Sequence, residues 1–419
     1  MTLTRSSKDE NPGFHWAFGL NRLSLKIIGI WPNEEDEGQA PKTVGKKLIA
    51  LSVPLMVAGL ILGIIVPQLY ALNLVWQDFS LVIDNLTTVC IAATSTIKLF
   101  LLWNSRKLFE PILQLASDHW RRGAQPDSSH VVMLRQARRA KLFTMSGYAI
   151  MGVCFVGFMF TPFLGLSVRI VNNVTDDLAS GSFLPFQTYY PFEFHETPVY
   201  EVVYASQVVT ASFAGIGFSV PDNFFGALAF HACAQCQLLS RMIRELPVVT
   251  MAGDRGDEFC GRLAAFVEHH LLVIRFVNLV EKAFNMIILV QTVSLTLIIC
   301  FLIFGSINSL ESDDNGAAIV QIFTLSGTAL NLMIHMFIYC IASELLAEYS
   351  EGIADAVYNY DWHLLPSSYS RQLVIIMIRT EFPLRFTAGK FFYLSLNAYL
   401  NIIKSSAGYI SVLLAVQGG

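Results

Sequence analysis

The chain has 419 residues, of which 54% are hydrophobic and only 14% charged. A soluble chain carries about 25% charged residues, so this one lacks the polar surface that two or three soluble domains would need, and its composition also excludes disordered, fibrous and disulfide-scaffold classes. A net charge of −4 gives no basic footprint for nucleic acid.

Residues 1–47 are polar and include Trp31-Pro32 and the acidic run Glu34-Glu35-Asp36-Glu37. They do not read as a cleavable signal, so the first apolar run acts as the membrane signal. Seven apolar runs have the roughly 20 residues that cross about 30 Å of hydrocarbon as helix. They lie at 48–72, 79–103, 142–166, 199–232, 284–306, 318–343 and 391–416. Backbone in lipid must satisfy its own hydrogen bonds, and the alternation of a barrel is absent. The expected fold is therefore an all-α polytopic membrane protein with seven transmembrane helices.

Positive charge sets the orientation. Of 28 Lys and Arg, 25 fall in segments 1–47, 104–141, 233–283 and 344–390. The alternate segments hold only Arg169, and Lys98 and Lys404 lie within spans. This places the N-terminus in the cytoplasm and the C-terminus outside the cell. Outer loop 167–198 then carries the sequon Asn173-Val174-Thr175, a candidate glycosylation site, whereas Asn85-Leu86-Thr87 lies inside a span and is unusable. Outer loop 307–317 is acidic, with Glu311, Asp313 and Asp314, which is either a cation-attracting rim or an ordinary solvated loop.

The inner segments are patterned too. Residues 255–283 place Phe259, Leu263, Phe266, His270, Ile274 and Val277 at helical spacing, and 369–385 repeat this with Leu373, Ile376, Met377 and Phe382. Helices four to seven are expected to extend below the membrane through segments 233–283 and 344–390. That extension is a structural stalk or a subunit-assembly domain; the pattern does not separate the two.

No Walker A, HExxH, GxSxG or GxGxxG pattern occurs, and no enzyme, cofactor or metal is expected. His269 and His270 are adjacent and point to different helix faces, and His231 and His335 sit in apolar helices as structural residues. Cys233-x-x-Cys236 has no second pair to make a zinc or redox site. Ionisable groups in spans are costly and raise functional suspicion. Asp84 is placed to meet a ligand's polar group, Lys98 to snorkel toward the inner end, Asp222 beside a helix broken at Pro221, and Lys404 facing protein or water. Gly59-x-x-x-Gly63 permits close helix packing. Tyr148, Phe155, Phe158, Met159 and Phe160 in span three, Tyr200, Tyr204, Gln207 and Phe213 in span four, and Phe323 in span six make the outer halves aromatic. Their arrangement is plain packing or an apolar cavity for a small lipophilic ligand, and pattern alone favours packing.

The C-terminal part is more specific. It runs Tyr358-Asn-Tyr-Asp-Trp362, then Arg379-Thr-Glu-Phe-Pro383 through Gly389-Lys-Phe-Phe392, and ends with Lys404-Ser-Ser406-Ala-Gly-Tyr409-Ile-Ser-Val-Leu413. These residues resemble the signature of insect odorant receptors, of the tuning-subunit class, and Pro198-Val-Tyr200-x-x-x-Tyr204-x-x-Gln207 resembles that family's start of helix four. The resemblance implies a plasma-membrane receptor of sensory dendrites. It implies an odorant-gated cation channel, with tuning subunits assembled with a shared co-receptor into a tetramer around a pore lined by helix seven. It turns the stalk into an assembly domain, and it places a pocket for a small apolar or weakly polar odorant among helices two, three, four and six. Carried onto this sequence, the ligand-binding candidates are Asp84, Tyr148, Phe155, Phe158, Met159, Tyr204, Gln207, Val208, Ala211 and Phe323. The hydrophobic gate falls on Val412, with Tyr409 and Val416 along the same helix. The family's longer polar tail is reduced here to Gln417-Gly418-Gly419. Alternatives are a G-protein-coupled chemoreceptor, which the orientation and the lack of an Asp-Arg-Tyr-like triplet ending span three oppose, a gustatory-type receptor channel, and a secondary transporter.

Overall fold

The structure is a computed structural model. It describes residues 12–32, 51–77, 79–122, 128–160, 184–186, 188–194, 196–247, 256–310 and 315–417. Asn173 and residues 311–314 of the acidic loop lie outside the described residues.

The described chain is helical apart from one short hairpin and its connections. A first helix, α1 (Pro12–Ile27), precedes the membrane runs. Its buried side chains Phe14, Phe18, Asn21 and Leu25 recur at helical spacing and lay one face on the bundle. The polar character of the N-terminal segment had hidden this stripe. The first span, α2 (Ser52–Leu74), contains a π-turn at Ile61–Ile65. Pro67 explains it, because proline has no amide hydrogen to give the Gly63 carbonyl. Next come α3 (Phe79–Asn104), α4 (Arg106–Arg122), α5 (Ser128–Phe160), α6 (Val199–Arg244), α7 (Gly256–Leu310) and α8 (Asn315–Tyr358). A short helix α9 (Ser367–Thr380) and an antiparallel hairpin of β1 (Thr387–Ala388) and β2 (Phe392–Tyr393) lead into α10 (Leu396–Gln417).

Among the described residues, α2, α3, α5, α6, α7 and α8 are long and apolar enough to cross a membrane. The 22 residues of α10 give a seventh helix of about 33 Å. Helices α6, α7 and α8 have 46, 55 and 44 residues. At 1.5 Å per residue they run about 66–82 Å, more than twice the hydrocarbon thickness. They therefore continue well beyond the bilayer, as the amphipathic patterning of 255–283 requires. The seventh apolar run differs. Residues 391–395 belong to the hairpin rather than to a helix, and the separate α9 stands in place of a continuous extension.

Helix α6 is the axis of the bundle, packing on α3, α5, α7 and α8. Residues 217–236 are buried without a break, so the helix is enclosed on all sides. Small residues set how closely its neighbours approach. A Cβ on Gly217 would lie 2.8 Å from Leu99 Cδ1, and one on Gly63 would lie 2.5 Å from Thr210 Cγ2. Gly59 and Gly63 thus let α2 approach Phe213 and Thr210 of α6.

At the inner end of the membrane runs, the basic end of the bundle closes around imidazoles. His119 Nδ1 lies 3.1 Å from His231 Nε2, the two rings stack with centroids 5.4 Å apart, and His269 meets His119 edge-on. Around them, Arg122 pairs with Glu268 at the surface. Burial and the neighbouring imidazoles hold His119 down to about 2, and burial with Arg122 nearby holds His269 at about 4. Cys233 and Cys236 are buried free thiols in α6.

Because the unfolded chain binds protons on these histidines from about pH 6.5 downward and the folded one does not, stability falls as the pH drops below that value. The melting temperature of detergent-solubilised protein is expected to decrease steadily from pH 7.5 to pH 5. His119→Phe should flatten that decline, and an identical pH profile in the variant would show that the cluster is not its source.

Candidate ligand cavity and pore helix

At the end of the bundle away from the basic segments, α3, α5, α6 and α8 surround an apolar cavity with about 170 Å³ of free volume. An apolar cavity of about 150 Å³ accepts benzene, so the space suits a molecule of one small ring without rearrangement. Helix α3 contributes Asp84, Thr87 and Ile91; α5 contributes Met151, Phe155, Phe158 and Met159; α6 contributes Ala211 and Phe218. The loop residue Phe186 closes one side, its ring tilted against Phe158 with centroids 5.3 Å apart.

Few polar groups in the wall are free to bind. Thr87 and Thr328 donate back to carbonyls one turn earlier, at 2.8 Å each. Asn331 on α8 differs. It is 3% exposed, and its Oδ1 has no hydrogen-bond partner among the described residues. A buried acceptor left unmatched costs about 1–3 kcal/mol, which a ligand hydroxyl recovers. Sequence reasoning missed this residue because an asparagine in a long apolar helix carries no local signal of where it points.

The sequence candidates divide into groups. Asp84, Phe155, Phe158, Met159 and Ala211 line this cavity. Tyr148 does not; it lines a second cavity together with Phe155. Tyr204 donates from its hydroxyl to the Met159 carbonyl, tying α6 to the end of α5. Gln207 is buried and holds the covering loop: its Oε1 accepts from Phe186 N at 3.1 Å, and its Nε2 donates to Thr188 Oγ1 at 2.8 Å. Val208 packs beneath the cluster of Leu184, Phe194 and Tyr204. Tyr204, Gln207 and Val208 therefore shape the cavity from behind its wall. Phe323 is corrected outright, since it is 80% exposed on the outside of α8, where an apolar side chain suits lipid.

Below the cavity floor lies a buried polar knot. Lys98 Nζ on α3 is 2.5 Å from Asp222 Oδ1 on α6. It also donates to the Phe218 carbonyl at 2.8 Å and to Gln291 Oε1 on α7 at 2.9 Å. Tyr339 on α8 donates to the same Asp222 oxygen, and His335 Nδ1 lies 2.9 Å from Oδ2. Both expectations for this pair are corrected. Lys98 is fully buried and does not snorkel, because a carboxylate lies within reach across the bundle. Helix α6 passes through Pro221 unbroken.

Helix α10 packs one side on α7, with Ile402 and Ser406 buried and Ser406 Oγ reaching the Thr296 carbonyl at 3.3 Å. Its other side is uncovered. Asn401, Lys404, Ser405, Gly408 and Val412 are exposed there, with Tyr409 and Val412 at 53% and 60%. The Val416 side chain lies outside the described residues.

Comparison with known proteins now bears on this geometry. The profile of the 7tm odorant receptor family matches residues 78–407, most of the chain. The chain belongs to that family. It is similar to odorant receptor 22c of Drosophila melanogaster, 22% identical over 94% of this chain and 96% of the relative. It is also similar to odorant receptor Or2 of Anopheles gambiae, 25% identical over 81% and 85%. The solved olfactory receptor OR5 of Machilis hrabei in complex with eugenol shares the fold, with TM-score 0.79 at 17% identity over 97% of this chain and all of that one. This is an odorant receptor subunit, multi-pass and membrane-spanning.

Two outcomes follow for the receptor. Asn331→Leu should weaken responses to hydroxylated ligands by about tenfold while sparing hydrocarbons of the same shape; equal effects on both would remove Asn331 as a ligand partner. Asp222→Leu leaves Lys98 unpaired in the bundle, a loss of about 3–5 kcal/mol, so surface expression should collapse. The Lys98→Met/Asp222→Leu double variant should recover most of it, and failure to recover would mean the knot does more than neutralise charge.

Proposed function

We propose that this receptor is the odorant-binding subunit of a non-selective cation channel formed with the shared co-receptor subunit as a heterotetramer. Its place is the plasma membrane of a sensory neuron dendrite, with the N-terminus cytoplasmic. The observation that carries the channel reading is the uncovered side of α10. Asn401, Lys404 and Ser405 lie on a membrane-length helix yet are exposed in the single chain. Polar and charged groups at that depth need water or a partner protein, not lipid. Four such helices placed around an axis make a wet path, with Val412 and its neighbours Tyr409 and Val416 as an apolar constriction that blocks ions by dewetting. The extended parts of α6, α7 and α8 and the hairpin supply the surface on which subunits assemble.

The ligand is a small, mostly apolar molecule with one hydrogen-bonding group. Burying about 200 Å² of apolar surface contributes about 5 kcal/mol, and Asn331 Oδ1 adds selectivity for a donor. Eugenol, bound to the Machilis hrabei receptor, is of this chemical kind. The ligand binds the open arrangement more tightly and so shifts the population. Its pressure reaches α10 through α7, which lines the cavity at Leu302 and receives Ser406 at Thr296.

The test is whole-cell current against an odorant panel, with and without the co-receptor. Current is expected only when both subunits are present, and Val412→Lys at normal surface level should alter conductance or cation selectivity. Ligand-evoked current without the co-receptor would overturn the assembly, and unchanged permeation in the variant would move the gate elsewhere.

A further inference from the structure

A second cavity, with about 350 Å³ of free volume, lies against the first. Met151, Phe155 and Gly215 line both and form the partition between them. Its outer wall is α1, through Ser24 and Ile27. The ammonium of Lys141, at the basic part of α5, stands 4.7 Å from the Trp16 ring of α1. Helix α1 therefore lies at the membrane boundary on the basic side. Its apolar face is turned to the bundle, while Leu23 and Ile27 remain exposed at 59% and 63%. The cavity opens beside them.

Three features show that this space is built. Gly152 and Gly215 form part of its wall, and a Cβ on either would meet nothing within 4 Å. These glycines leave room, whereas Gly217 on the same helix allows close packing. Ser219 also lines the cavity, is 2% exposed, and its Oγ has no hydrogen-bond partner among the described residues. Serines in apolar helices normally bond back one turn, as Ser212 in the same wall does to the Val208 carbonyl at 2.8 Å. A buried hydroxyl left this way lacks a partner from outside the chain. Finally, among the described residues Tyr148 is the one ionisable residue in the wall, with no Lys or Arg there to meet a phosphate.

We propose that this cavity is a second binding site, for a neutral membrane amphiphile with a single hydroxyl, of the sterol class. The hydroxyl meets Ser219 and Tyr148 at the interface, and the apolar body lies along Met151, Phe155 and Ile216. Because Met151 and Phe155 are also walls of the ligand cavity, an occupant here braces that cavity from behind. Membrane composition then sets how readily the cavity takes its ligand.

The test uses the full-length receptor in cell membranes and a sterol carrying a ring diazirine and a free hydroxyl. Photolabelling is expected on residues 148–155 and 212–220. Unmodified sterol should compete, and the same sterol esterified at its hydroxyl should not. Ser219→Ala should lower labelling about fivefold, the worth of one hydrogen bond. Gly152→Leu, whose Cβ meets no atom within 4 Å, should abolish labelling at unchanged surface level. Labelling spread evenly over the lipid-facing helices, competition by the esterified sterol, or undiminished labelling in both variants would overturn the site.

Discussion

The fold turns on one ion pair held in an apolar bundle. Two charges in hydrocarbon are tolerable only if each is matched and its remaining hydrogen-bonding capacity is filled. Lys98 and Asp222 are matched to each other, and they gather Gln291, the Phe218 carbonyl, His335 and Tyr339 around them. The partners come from α3, α6, α7 and α8, so one local need for charge compensation fixes the register of four helices. The Lys98 ammonium also sits 4.1 Å above the Phe218 ring. Phe218 in turn is wall to the apolar cavity above. Electrostatics below and apolar space above thus share a residue.

That arrangement gives the cavity a floor tied by polar bonds and a roof made of loop. The floor is tied by short charge-assisted bonds in a low dielectric. The roof is a loop held to α6 by Gln207, with Phe186 laid over the cavity on Phe158. Cavity and α10 are joined through α7, which touches both. Helix α10 itself is covered on one side only, and its other side stays exposed in the single chain.

Much of this was legible in the sequence, for a physical reason. Lipid imposes a length and a polarity on each crossing, and the positive charges impose a side, so composition along the chain determines spans and topology without any knowledge of packing. The amphipathic run at 255–283 likewise announced the long α7. Two local departures were harder to read. Helix α1 is a weak stripe in a polar segment, and the 391–395 run is apolar yet extended, because β2 pairs with β1 and leaves it outside the helix.

What the sequence by itself determined is the class: an all-helical, seven-span chain with its basic loops on one side and the signature of its family near the C-terminus. The tertiary structure decided which side chains meet. Periodicity tells that a residue lies on a face, but not what that face touches. Phe323 and Phe158 look alike in sequence, and packing turned one to the outside and the other into the cavity. Lys98 and Asp222 are 124 positions apart; each alone reads as a costly charge, and only the close crossing of α3 and α6 at Gly217 makes them a pair. Asn331 and Ser219 acquire meaning in the same way, because whether a polar atom is satisfied depends on neighbours brought from elsewhere in the chain.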